Sequence, residues 1–372
     1  MKIGIDTFGC EHGRSGLGSY LYSLVKKLPS DSEDTFELFG PEMDRFTYTS
    51  ENPVEFKSVD IQDTLFSELF YHKFKVNKFA LRQKYDAVLY AAAARMVPPK
   101  FKVPSAAVVN DVVSTRLKAP GSSWQKRQIH SGLKNADCII VPSEYVKNDI
   151  LSCGIKARRI EVIPNGIDHS LFYPDESLIS SPETVDIKPF AIKKPYIIYA
   201  SAMRSPEKRH VELIKAFSLF KEKTSSPHRL VIAGSDGACS EKVHKTAFES
   251  KYASDIFITG YFPHQNFPEL YRGADACVFP AENEGVGLPV LEAMSTGIPV
   301  ACSKSGSLPE IAGDAALYFD STNIEEMALC IEKIVTDREF KASLIKKGTE
   351  RSALYSWKKT ALKTVEVIHS LK

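Results

Sequence analysis

The stretch "DACVFPAENEGVGLPVLEAMSTGIPVACS", residues 275–303, holds a complete folding unit in miniature. "DACVFP" is a short apolar run ended by a proline and reads as a strand buried on both faces. "LPVLEAMSTG" reads as a helix, with Pro289 at an early helical position and Gly297 at its end. "IPVACS" is the next strand. The intervening "AENEGVG" is then a strand-to-helix loop at the carboxyl edge of a sheet, where ligands of such sheets bind. Its glycines, Gly285 and Gly287, let backbone N–H groups approach a ligand closely. The helix start that follows suits an anion. Glu284 sits in the loop. Glu292, a turn into the helix, can accept two hydrogen bonds from a vicinal diol such as a ribose. Either glutamate alone reads as a dipole complement or a solvated charge. The whole string, with glycines and proline in register, reads as a binding site whose backbone is Gly285, Val286, Gly287 and Leu288.

The same rhythm extends in both directions. Short apolar runs recur as "KIGID" (2–6), "DAVLYA" (86–91), "SAAVVN" (105–110), "DCIIVPS" (137–143), "YIIYAS" (196–201), "RLVIAGS" (229–235) and "IFITG" (256–260). Helix-length segments separate most of them. Continuous apolar strands alternating with helices give parallel sheets covered on both faces, the doubly wound α/β class. A length of 372 residues suggests two such domains. The polar, proline-bearing stretch from Asp175 to Pro195 breaks the rhythm and is expected to link them. The expected division is a first domain over 1–174, a linker over 175–195, a second domain over 196–354 and a closing helix over 355–372. Two Rossmann-like domains of this kind face each other across a cleft.

Composition narrows the class further. The formal net charge is +2, so nothing in bulk draws the chain to nucleic acid. None of the seven cysteines forms a Cys-x-x-Cys pair, and several lie in apolar runs, as small buried hydrophobes of a reducing compartment do. The start "MKIGIDTFG" lacks a signal-peptide stretch and no run approaches membrane-span length, so a cytoplasmic protein is expected. There is no Asp-x-Asp triplet and no histidine ligand spacing, so neither metal nor cofactor is expected.

Three further stretches carry candidate chemistry. "RSGLGSY" (14–20) follows the first strand but fails as a dinucleotide fingerprint, because Leu21 stands where the third glycine should be. Alone it is a tight turn. "MRSPEKRH" (203–210) follows another strand and by itself is a solvated basic turn. Residues 63–86 carry Phe66, Phe70 and Phe74 at helical spacing, interleaved with Lys73, Lys75, Lys78, Arg82 and Lys84. The plain expectation is phenylalanines in the core and lysines on a solvated face. The alternative is peripheral contact with an anionic membrane, at the inner face for a cytoplasmic protein.

Residues 282–303, "ENEGVGLPVLEAMSTGIPVACS", closely resemble the donor-site signature of the retaining glycosyltransferases of family GT4, which have the GT-B fold. The resemblance extends over nearly the whole chain and is greatest to bacterial mannosyltransferase-like group 1 members. "SGLGSYLYSLVKKL", "ADCIIVPSEYVKNDIL", "VIPNGIDHSLF", "MRSPEKRHVELIKAF" and "LVIAGSDG" follow in family order, and "YSWKKTALKTVEVI" resembles the helix that crosses back onto the first domain. The resemblance implies a hexose transferred from a nucleotide sugar, GDP-mannose or a UDP-sugar, to a glycan or lipid-linked hydroxyl. It implies that Gly16 and Gly18 form a backbone platform near the donor phosphates or the acceptor. Glu292 would bind the ribose, and Glu284 the donor sugar.

The basic turn then acquires a role. A nucleotide-sugar donor leaves as a diphosphate, so negative charge grows on its oxygens in the transition state. Arg204 and Lys208, beside a helix N-terminus, can stabilise that charge without a metal. Which of Lys208 and Arg209 faces the phosphate stays open. No enzymic nucleophile stands out, so front-face displacement fits better than a covalent intermediate. One departure counts against activity: where many relatives carry His-Asp, this chain has Asn110-Asp111. Asparagine can hold a sugar hydroxyl but cannot carry a proton near neutral pH. A catalytically inactive nucleotide-sugar binder is therefore the rival from another class, and a sugar epimerase the rival within the fold.

Overall fold

Among the described residues of the computed structural model (all but 14, 31, 51–53, 119–121, 176–183, 188–189, 263 and 372), seven strands of the N-terminal part pair in parallel into one sheet. They are β1 (Lys2–Asp6), β2 (Thr35–Gly40), β3 (Glu55–Ser58), β4 (Ala87–Tyr90), β5 (Ser105–Val108), β6 (Cys138–Val141) and β7 (Ile160–Val162), in the order β3-β2-β1-β4-β5-β6-β7. Every residue of β4, β5 and β6 is buried, which is why each is an unbroken apolar run. The helices are α1 (Gly16–Lys26), α2 (Glu42–Thr49), α3 (Leu65–Phe74), α4 (Val76–Gln83), α5 (Val113–Lys118), α6 (Ser123–Asn135) and α7 (Glu144–Ser152).

A two-stranded antiparallel hairpin follows, β8 (Thr184–Ile187) with β9 (Phe190–Lys193). It lies within the stretch expected to be the linker, most of whose remainder falls on residues 176–183 and 188–189, outside those described. Ile192 of β9 is buried in the second core, and the Phe190 ring stacks on Phe262 at 6.0 Å. The hairpin is thus packed structure of the second unit.

The second sheet has six parallel strands among the described residues: β10 (Tyr196–Ala200), β11 (Arg229–Ala233), β12 (Ile256–Gly260), β13 (Ala276–Phe279), β14 (Val300–Ser303) and β15 (Ala316–Phe319). Their order is β12-β11-β10-β13-β14-β15. The helices between and after them are α8 (His210–Thr224), α9 (Ser240–Phe248), α10 (Phe267–Arg272), α11 (Leu288–Ser295), α12 (Leu308–Ala312), α13 (Ile324–Thr336) and α14 (Arg338–Ser352). The last helix, α15 (Trp357–His369), packs on the first unit. Its Trp357 ring lies 5.7 Å from Tyr20 of α1, and Thr360 Oγ1 donates to the Pro164 carbonyl at 2.8 Å.

The chain divides into Met1–Gly166 with Ser356–Lys372, and Ile167–Tyr355. The division falls ahead of residue 174 because Ile167 and Phe172 are buried in the second core, where Ser295 Oγ donates to the Phe172 carbonyl at 2.6 Å. No helix among the described residues is long and apolar enough to cross a membrane.

Candidate active site

In the second sheet, β10 and β13 are neighbours from which the chain winds outward in opposite directions. Such a switch point leaves a crevice at the carboxyl ends of the two strands. The loop after β10 carries residues 201–209, and the loop after β13 carries residues 280–287. Backbone joins them: the Glu282 N–H donates to the Glu207 carbonyl at 2.9 Å.

Side chains complete the junction. Lys208 Nζ lies 2.8 Å from Glu284 Oε2. Lys208 ends a short 3-10 turn, Pro206–Lys208, and the Tyr199 hydroxyl of β10 donates to its carbonyl at 2.6 Å. Glu284 Oε1 accepts from the Gly287 N–H at 3.3 Å, at the start of α11. Burial opposes ionisation of Glu284. The Lys208 ammonium and the Gly287 and Val286 amides outweigh it and hold the carboxyl below its ordinary value. The loop amides expected to face a ligand are therefore turned in part onto the site's own carboxylate. Gly285 and Val286 lie in the same loop, and Leu288 opens the helix.

Lys208 and Arg209 are separated by their partners. Arg209 adopts a left-handed backbone at φ 56 and ties to Glu282 at 2.6 Å and Glu212 at 3.1 Å. Ser321 Oγ donates to the same Glu282 oxygen at 3.0 Å. Arg209 is thus neutralised within the wall, and Lys208 is the cation beside Glu284. Arg204 is exposed and makes no side-chain hydrogen bond or ion pair among the described residues. Glu292 is buried in α11. Burial, and then the nearby Glu292, push the Tyr271 phenol well above its ordinary value.

Sequence reasoning did not select Glu282, Tyr199 or Gly306. Gly306 follows β14 at φ +66, and a Cβ there would sit 2.7 Å from the Glu284 carbonyl. Its neighbour Ser307 donates its N–H to that carbonyl at 2.9 Å. The signal available was a second strand–glycine–helix turn, "VACSKSGSLPE", one strand along from the first.

Gly16, Gly18 and Asn110 belong to the first unit. The Gly18 N–H donates to Ser15 Oγ at 3.3 Å, capping α1, and a Cβ on Gly18 would lie 2.6 Å from the Cys10 carbonyl. Packing of loop on helix thus requires Gly18, and its amide is already engaged. Gly16 is exposed, with nothing within 4 Å of a built Cβ. Asn110, two residues past β5, is 8% exposed, and its Nδ2 is buried with no hydrogen-bond partner among the described residues. Beside it, Asp111 pairs with Arg116 at 3.2 Å and Arg95 at 3.6 Å. Among the described residues no three His, Cys, Asp or Glu side chains gather as a metal site.

Comparison with known proteins agrees with this architecture. A family described as Glycosyltransferase Family 4 matches residues 14–171, and one described as glycosyl transferases group 1 matches residues 182–351. The chain belongs to the group 1, family 4 glycosyltransferases, and its two Rossmann-like units are those of the GT-B fold. It is 27% identical over 248 residues to O-antigen chain mannosyltransferase B of Escherichia coli, a match covering 65% of this chain and 63% of that one, hence less than two thirds of the relative's length. Sucrose-phosphate synthase of Thermosynechococcus elongatus superposes with a TM-score of 0.77 at 19% identity, covering 100% of this chain and 99% of that one. HepE of Anabaena, in complex with UDP and glucose, superposes with a TM-score of 0.75 at 17% identity and complete coverage of both.

Proposed function

We propose that this chain is a retaining, metal-independent hexosyltransferase. It would take a hexose from a nucleotide sugar, GDP-mannose in first place, and attach it to a hydroxyl of a glycan or lipid-linked acceptor. The observation that carries the reading is the Lys208–Glu284 pair at the switch point of the second sheet, 2.8 Å apart. A cation and a carboxylate held there match the two charges that develop when a glycosyl–diphosphate bond breaks. Lys208 would turn to the departing diphosphate, joined by the exposed Arg204. Glu284, held ionised, would face the sugar hydroxyls and the growing positive charge at the anomeric carbon. Glu292 would bind the ribose. The Gly285–Leu288 backbone would line the donor. The acceptor hydroxyl would bond to the anomeric carbon on the face that the diphosphate leaves, and its proton would pass to a diphosphate oxygen. The mannosyltransferase relative supports mannose as the sugar.

Asn110 favours a second reading, a nucleotide-sugar binder without catalysis. Its unpartnered Nδ2 can donate to a ligand oxygen, yet the side chain cannot shuttle a proton. Thermal-shift screening against GDP-, UDP-, ADP- and TDP-sugars tests binding first. A ligand at 100 times its dissociation constant stabilises by about 2.7 kcal/mol. Donor hydrolysis and transfer, assayed with EDTA present, then separate the readings. Turnover that persists in EDTA is expected. Turnover that stops with EDTA and returns with magnesium or manganese overturns the cation clamp. Binding without any turnover by wild type, restored in Asn110→His, establishes the binder.

A further inference from the structure

The inner face of α3 fixes the helix to the first sheet. Leu69 and Tyr71 are buried, and His72 is fully buried with Nε2 2.7 Å from Asp6 Oδ2 of β1 and Nδ1 2.7 Å from the Glu68 carbonyl. This anchoring turns the opposite face outward. Phe66, Phe70 and Phe74, one turn apart on it, are 70%, 41% and 55% exposed. The expectation that they form core is therefore overturned.

The rings make one continuous patch. Phe66 and Phe70 lie 6.5 Å apart by ring centroids, Phe70 and Phe74 4.8 Å, and Trp124 of α6 extends the row 6.1 Å from Phe66. Cations border it. Lys73 Nζ stands 4.9 Å from the Trp124 ring centre and 5.1 Å from that of Phe74, and Lys75 Nζ stands 5.8 Å from Phe70. Among the described residues, Lys73, Lys75 and Lys78 make no ion pair with a carboxylate. Glu68 is the one acidic residue between Thr64 and Lys84. Burial pushes its carboxyl up to about 7, so near neutral pH it carries only part of its negative charge. Upstream, Asp63 is engaged by His12 Nε2 at 3.5 Å.

Exposed phenylalanine rings beside a half-buried tryptophan, with lysine ammonium groups that lack a carboxylate partner standing over several of the rings, match the interface of an anionic bilayer. Rings there enter the boundary between headgroups and acyl chains, and ammonium groups reach the phosphates. We propose that this face docks the chain on an anionic lipid bilayer, with Phe66, Phe70, Phe74 and Trp124 entering the interface and Lys73 and Lys75 meeting the headgroups. The surface lies on the first unit and includes none of the residues assigned to sugar transfer, so the inference stands or falls apart from that reading.

Co-sedimentation with phosphatidylcholine vesicles, with and without phosphatidylglycerol, tests it. Wild type is expected to pellet with the anionic vesicles and to be released by salt. Its tryptophan emission should shift to the blue. Trp124 and Trp357 are the two tryptophans, and Trp357 is already buried, so the shift reports Trp124. Phe70→Ser with Phe74→Ser should weaken binding by about tenfold or more through lost apolar insertion. Lys73→Glu with Lys75→Glu should remove the preference for anionic vesicles. Phe70, Phe74 and Lys75 are exposed and Lys73 is half-buried, and hydrolysis of a soluble donor should stay unchanged in each pair. Failure of wild type to bind anionic vesicles overturns the proposal. So does equal binding by the variants. Self-association of wild type in sedimentation velocity, lost in Phe70→Ser with Phe74→Ser, without vesicle binding, would make the face a contact between copies of the chain.

Discussion

Lys208 and Glu284 come from stretches 76 residues apart and meet at 2.8 Å. Neither has another side-chain ion pair among the described residues, so each is the other's counter-charge. Glu284→Gln keeps the amide contacts but removes the charge, and should lower kcat far more than donor affinity. Lys208→Met should lower turnover by about two to three orders of magnitude, the scale of one oxyanion-stabilising group. The double variant should fall short of the summed losses, because each single change already breaks the shared pair. Full additivity in the steady-state double-mutant cycle would show that they act on separate groups. The folded-state value of Glu284 lies below its unfolded value. The stability it contributes is therefore full above the unfolded value, and is lost as pH falls through the lower folded one.

At the scale of elements, the loop from β13 to α11 holds its shape because two neighbours press on it. One is the turn after β14. Gly306→Ala places a methyl 2.7 Å from the Glu284 carbonyl at a left-handed φ of +66. The strain should cost about 1–3 kcal/mol, read as a lower midpoint in thermal denaturation, with donor hydrolysis falling alongside. An unchanged midpoint would mean that the turn yields freely. The other neighbour is the start of α8. His210 is buried, 4.8 Å from the Tyr199 ring by centroids, with Nε2 donating to the Ser201 carbonyl at 3.1 Å. Burial, partly offset by that hydrogen bond, lowers its value to about 4. The unfolded chain therefore takes up the proton first. Stability is full above about 6.5 and declines as pH falls toward about 4, by roughly 3 kcal/mol in total. His210→Gln retains a donor to Ser201 and does not titrate, so its denaturation midpoint should vary less over that window. Equal acid sensitivity of both proteins would assign the decline to other groups.

Over the whole molecule, the chain builds one parallel sheet, then a second, and returns to the first with α15. Trp357, Ala361, Val365 and Ile368 of that helix are part of the first unit's core. Trp357→Ala should cost about 3–5 kcal/mol, the range for emptying a large aromatic site. Both tryptophans lie in this unit, so emission during denaturant unfolding follows it selectively. In the variant, Trp124 alone should report a midpoint shifted to lower denaturant. An unshifted midpoint would show that α15 contributes little to that core.

The alternation of doubly buried strands with helices was legible in the residues alone, because the backbone period and burial on both faces constrain every position of "CIIV" or "ACVF" locally. The Glu284 loop was legible for a related reason: glycine, proline and the helix start are neighbours in sequence. Only the tertiary structure chose Lys208 over Arg209 as the partner of Glu284, since Glu282 and Glu212 compete for Arg209 from other elements. It also set the division at Gly166, where packing of Ile167 outweighs the polar composition further on. The face of α3 was decided in the same way. The richer apolar ladder, Phe66–Phe70–Phe74, points outward because the other side of the helix is the one that packs on the sheet: Leu69 and Tyr71 enter the core there and His72 finds Asp6, contacts that a hydrophobic period read one helix at a time does not show.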